Sequence, residues 1–186
     1  SLLYGEDCTA IHSQLEQLIA GYEPALSKDP SAHQQDPLWD ESTVVLITYG
    51  DQIQDENVPA LRSLRNFLLE HQLDRSINTV HLLPIFPYSS DDGFSVIDYR
   101  EVRTDLGDWQ DVKHLGQKFA LAIDFVLNHC SRESSWFAGY RNGERPFESF
   151  FIEVDPELDL SMVTRPRTTP LLTPVQTTRG ERHVWS

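Results

Sequence analysis

Three segments of this sequence combine residue types and spacings that carry chemistry. Asp124-Phe-Val-Leu-Asn128-His129 closes an apolar run, Phe119 to Leu127, that reads as a buried strand. A carboxylate inside such a run is costly to bury without a partner. Asp124 therefore reads as one half of an ion pair whose other half need not lie in this chain, orienting its neighbours rather than reacting. An imidazole and an amide at the carboxyl end of a strand stand where α/β proteins gather their sites. Asn128 shares a face with Asp124, and a metal role for it would need more oxygen ligands than the sequence offers nearby. Asp91-Asp92-Gly93-Phe94 follows an earlier apolar run. Two acids beside a glycine suit a tight turn, and position raises a second reading. The segment leaves a strand's carboxyl end, the same edge on which His129 is expected. Carboxylate, aromatic ring and imidazole together equip a sugar pocket: the acid accepts from hydroxyls, the ring packs on C–H faces, and the imidazole bonds one further hydroxyl. The third segment, Arg165-Pro-Arg167, either holds guanidinium groups toward a phosphate or carboxylate or leaves them solvated.

The elements that must position these residues follow from periodicity. Ile11, Leu15, Leu18, Ile19 and Tyr22 give residues 6–22 a helical period, with Gly21 and Pro24 expected to end the helix. The polar stretch from Ser27 to Pro37 reads as a linker, so residues 1–40 form a helical prefix with its tether. Next, Thr43–Tyr49, Asn78–Leu83 and Ala120–Leu127 read as strands. Helical patterns at Val58–Gln72 and Asp108–Phe119 separate them, the second with Asp108 as its N-cap. Strands alternating with helices imply a parallel sheet with right-handed crossovers over residues 41–130. Residues 131–186 are punctuated by Pro146, Pro156, Pro166, Pro170 and Pro174 and read as an irregular excursion. Within it, Trp136, Phe137 and Tyr140 keep a helical spacing and are expected to pack. Asp98, Tyr99, Asp105, Asp108 and Trp109 are expected to pack loops and cap helices.

Composition narrows the function classes. The 186 residues carry a formal charge of −14, with 29 acidic against 15 basic side chains, which repels phosphate backbones and anionic lipids. No nucleic-acid or membrane partner is expected, and no apolar stretch approaches the roughly 20 residues of a membrane span. The two cysteines, Cys8 and Cys130, have no metal-ligand spacing and suit a reducing, cytoplasmic setting.

The strand and loop segments Leu46-Ile-Thr-Tyr-Gly-Asp51, His81-Leu-Leu-Pro84, Ser89-Ser-Asp-Asp-Gly-Phe-Ser-Val-Ile-Asp-Tyr99 and Asp124–His129 together resemble the α-amylase superfamily, glycoside hydrolase family 13. Within it they are most similar to the sucrose phosphorylase branch, on the side of the glucosylglycerate phosphorylases. Phe150–Pro156, Leu160–Arg167 and Pro170–Pro174 extend the likeness, which runs from about Glu41 to Trp185. The fold so implied is α/β: the N-terminal part, about three β/α units, of a (β/α)8 TIM barrel, plus the start of the domain inserted after strand three. By the same resemblance Asp91 and His129 bind hydroxyls of a donor glucose and Phe94 is its stacking platform. Asp124 pairs with an arginine of strand four, with Asn128 beside it as structural support. Arg167 contacts phosphate or acceptor. No metal or cofactor is implied, and inorganic phosphate is the co-substrate of a small sugar. The catalytic carboxylates of that family stand on later strands, so this chain is expected to be a fragment or truncated product, inactive alone. Its unfinished barrel is expected to self-associate or to pair its edges with the missing part. The rival readings are a non-catalytic barrel module for assembly or sugar binding, and part of an α-glucoside hydrolase or transglucosidase.

Overall fold

The computed structural model describes residues 8–26, 39–164 and 170–185. The chain divides into two units, 1–42 and 43–186. In the first, helix α1 spans Cys8–Leu26. It runs past Gly21 and Pro24, where the sequence suggests a stop. A glycine costs a helix only about 1 kcal/mol, and a proline removes a single backbone bond without ending every helix that contains it. The linker expected over 27–37 lies outside the described residues, as does Arg167.

The second unit is built on three parallel strands in the order β1 (Val45–Thr48), β2 (Thr79–Leu82), β3 (Ala120–Ile123). Helix α2 (Ala60–Glu70) connects the first pair and α3 (Trp109–Gly116) the second. Register gives the sheet two unlike faces. Leu46, Val80 and Leu121 lie side by side, followed by Thr48, Leu82 and Ile123. Their row packs against Leu61, Leu64 and Leu68 of α2 and Val112 and Leu115 of α3, forming the main core. The opposite face carries Val45 and Ile47, which stay 47% and 61% exposed, beside Thr79, His81, Ala120 and Ala122. No helix is long and apolar enough among the described residues to cross a membrane.

Both crossover helices are fixed at their starts. Asp108 caps α3 by accepting from the backbone N–H of Gln110 and Asp111, and the Asp111 side chain reaches back to the Asp108 N–H. The buried Asp111 carboxylate also accepts from Nε and Nη2 of Arg62 on α2, tying the two helices together. Gly107, at φ 124°, is needed here, because a Cβ would fall 2.4 Å from the Asp111 carboxylate. Helix α2 has no side-chain cap. The N–H groups of Ala60 and Leu61 instead donate to the carbonyls of Asp105 and Leu106. One buried side chain of α2, Ser63, has a hydroxyl with no hydrogen-bond partner. Ser63→Ala is therefore expected to be neutral or to stabilise by up to about 1 kcal/mol in urea unfolding, since it deletes an unsatisfied polar atom.

Two sequence expectations need correction. Strand β3 ends at Ile123, so Asp124 is the first residue beyond it and the alternation read through Leu127 stops there. Phe125 and Leu127 are 55% and 70% exposed, while Val126 turns into the core. An apolar run signals burial, but β-branched and aromatic residues in a loop that leaves a strand give the same signal. Nor is the excursion after residue 130 irregular throughout. It holds α4 (Ser135–Asn142), capped by the Ser134 hydroxyl, and an antiparallel hairpin of β4 (Leu172–Thr177) and β5 (Gly180–Trp185). Pro174 sits inside β4 opposite His183, whose carbonyl accepts from the Val154 N–H on the far side of β5, so the missing proline N–H faces the outer edge of β4 and costs the ribbon no bond. Tyr140 of α4 is fully buried with Val175 and Val184 of the hairpin, as its spacing with Phe137 suggests.

Candidate donor-sugar site

The loops after all three strands meet at the carboxyl edge of the sheet. The loop after β2 doubles back as a small hairpin, with Tyr88 bridged to Val96 and the N–H of Ile97 donating to the carbonyl of Pro87. Its tip is unusual. Asp91, Asp92 and Gly93 have φ of 63°, 49° and 102° in succession. Two non-glycine residues in the left-handed region cost on the order of 1 kcal/mol each, and such outliers cluster at binding sites. Aspartate tolerates that region better than most residues, which explains its use twice here. The turn leaves Asp91 exposed and sets Phe94 half-buried against the main core.

The loop after β3 is fastened to this hairpin. The N–H of Ser131 donates to the carbonyl of Val96 at 2.7 Å, and the hydroxyls of Ser131 and Ser89 are 2.6 Å apart. The single O–H of Tyr99 is shared between the carbonyls of Val126 and His129, whose oxygens lie 2.6 and 2.8 Å from it. Asn128 and His129 are exposed beside it. The structure thus fastens the loop that carries Asp91 and Phe94 to the loop that carries Asn128 and His129, both at the carboxyl edge of the sheet. The loop after β1 joins them through Arg103, which donates to Asp51 and Asp105 and lies 5.4 Å from the Tyr88 ring centre. Burial alone would lower the Arg103 pKa, but hydrogen bonds to Asp105 and Asp51 outweigh it and hold the guanidinium above its ordinary value.

Asp124 has a partner within the chain. Its Oδ1 lies 2.9 Å from Nε2 of His81. His81 pairs in register with Ala122, so Asp124 stands diagonally across from it on the uncovered face. With a carboxylate as acceptor, Nε2 must carry the proton. Sequence reading missed His81 in this role. The available signal was its place between Val80 and Leu82, whose burial turns His81 to the other face. Tyr99 was expected only to pack. It does so, between Trp136 at 5.0 Å and Phe125 at 5.4 Å, while its hydroxyl does more. A cavity of about 410 Å³ beside Glu153, Asp155, Glu181 and His183 contains none of the rim residues. Among the described residues no group of three or more acidic, His or Cys side chains is placed to hold a metal ion.

Residues 71–172 match the alpha amylase catalytic domain. The chain belongs to the alpha-amylase family. It is 47% identical to the glucosylglycerate phosphorylase of Escherichia coli and 45% identical to that of Allomeiothermus silvanus, over 99% of its own length and 32% of each relative. The sucrose 6F-phosphate phosphorylase structure from Thermoanaerobacter thermosaccharolyticum superposes with a TM-score of 0.66 at 29% identity. That match covers 80% of this chain and 32% of that one. The fold is accordingly the N-terminal part of a (β/α)8 barrel, and the chain spans about a third of the relatives it matches. In this family frame the rim is the carboxyl end of the barrel strands, the face on which such barrels carry their sites.

Proposed function

We propose that these residues form part of the donor pocket of a retaining glucoside phosphorylase acting on a small α-glucoside of the glucosylglycerate or sucrose type. Asp91 and His129 accept from and donate to hydroxyls of the donor glucose, and Phe94 packs on its C–H face. Asp124, held by His81, and Asn128 keep the strand end in place. Arg167 meets phosphate or the acceptor. The observation that supports this reading is the fastening of the loop that carries Asp91 and Phe94 to the loop that carries Asn128 and His129, in a chain so similar to glucosylglycerate phosphorylases.

The chemistry is retaining transfer. A carboxylate attacks the anomeric carbon, a carboxylic acid protonates the departing oxygen, and phosphate then takes the glucosyl group from the covalent intermediate. That needs two carboxyl groups about 5 Å apart across the bond. In this reading both come from later strands of the barrel, so residues 1–186 alone do not turn over. Phosphate is a co-substrate, no further cofactor is needed, and the setting is cytoplasmic.

The test joins residues 1–186 to the remaining two thirds of the Escherichia coli relative. The joined polypeptide is expected to release glucose 1-phosphate from glucosylglycerate or sucrose only when phosphate is present. The 186-residue chain by itself is expected to release none. Free glucose formed at equal rates with and without phosphate would make it a hydrolase instead.

A further inference from the structure

One group at the rim acts on the site without reaching it. Tyr99 sits on the loop after β2, yet its one O–H is shared between two carbonyls of the loop after β3, those of Val126 and His129. The two acceptors are three positions apart, so a single O–H closes the segment Val126–His129 from both ends. Among the described residues the side chains of Asn128 and His129, which lie inside or at the end of that segment, make no other hydrogen bond that would hold it. The phenol ring is itself immobilised. Trp136 stacks on it at 5.0 Å and 23°, Phe125 meets it edge-on, and Phe86 lies 5.7 Å away. A hydroxyl held this firmly can fix a backbone segment that no regular ladder reaches, since β3 has already ended at Ile123.

We infer that Tyr99 is a positioning residue for His129: its hydroxyl sets the backbone that presents the His129 imidazole to the donor sugar. This inference rests on the donor-pocket reading above. Tyr99 touches no substrate atom and takes no part in bond making. Burial, with a smaller contribution from Cys130, pushes the phenol up to about 12, so it remains a donor throughout the range in which such an enzyme works.

The substitution that isolates the hydroxyl is Tyr99→Phe, which keeps the ring and its stacking. In the joined polypeptide it is expected to raise KM for the glucosyl donor about tenfold with kcat changed less than about twofold. In a His129→Ala background the same substitution is expected to raise KM less than about twofold, because Tyr99 acts through His129. A merely structural role would lower thermal stability and leave KM alone, and that outcome overturns the inference. So would equal KM increases in the two backgrounds. A second measurement needs no activity. In the 186-residue chain, the carbonyl ¹³C resonances of both Val126 and His129 are expected to move upfield in Tyr99→Phe, while those of β1 and β2 stay. If neither carbonyl moves, the inference fails whatever the kinetics. If the unsubstituted joined polypeptide shows no phosphorolysis, the donor-pocket reading fails, and with it the role assigned to His129; movement of both carbonyls would then confine Tyr99 to a backbone anchor.

Discussion

Asp91→Asn is expected to lower kcat/KM for phosphorolysis about a thousandfold in the joined polypeptide, with little loss of thermal stability. The size follows from what the substitution removes. A carboxylate accepts from two sugar hydroxyls through charge-assisted bonds, each strong, whereas an amide offers one oxygen and turns a donor toward a hydroxyl. A site built to bond a hydroxyl discriminates steeply once that pairing is broken. The fold is spared because φ of 63° at Asp91 is one that asparagine also accepts. Asp92→Asn is the matched control, since Asp92 shares the left-handed turn at φ 49° but has no role in the proposed pocket. Steady-state kinetics with glucosyl donor and phosphate read both. A loss at Asp91 below about tenfold, or equal losses at the two positions, would remove Asp91 from the sugar site.

The second large effect concerns the sheet that carries the loops. Leu82→Ala is expected to destabilise the 186-residue chain by about 3 kcal/mol, which for a unit of this size lowers Tm by roughly 10 °C. Leu82 is completely buried against α2 and α3, between Thr48 and Ile123 in register. Ile47→Ala, one position earlier on the neighbouring strand, is expected to cost less than about 0.5 kcal/mol, because Ile47 is 61% exposed on the other face. Thermal and urea unfolding of the two variants side by side measure the contrast. Equal losses would mean that both faces of the sheet are packed in the isolated chain.

Much of this was legible in the sequence, for physical reasons that differ from element to element. The three strands and two crossover helices announce themselves because each buries one face, and Leu61, Leu64 and Leu68 mark the helical period as plainly as any pattern can. Asp108 reads as a cap from its type and place, and it is one. Residue chemistry at strand ends, where loops of α/β folds converge, points to the Asp91–Phe94 turn and to His129, while the choice of Asp91 over Asp92 and the role of each residue rest on the family resemblance. What the sequence hid is pairing across distance. His81 and Asp124 are 43 positions apart and meet only because β2 and β3 are neighbours in register. The reach of the Tyr99 hydroxyl to residues 126 and 129 is of the same kind. The β4–β5 hairpin was also hidden, because Pro174 within a strand argues against one unless its nitrogen faces an outer edge. The run through Leu127 failed for the opposite reason: composition alone does not say where a strand stops.

The most direct measurement is a crystal structure of the joined polypeptide soaked with glucose. One hexose is expected at the rim, its hydroxyls within hydrogen-bonding distance of both the Asp91 carboxylate and the His129 imidazole, and its C–H face on the ring of Phe94. A glucose bound elsewhere, or one that meets neither Asp91 nor His129, would contradict it.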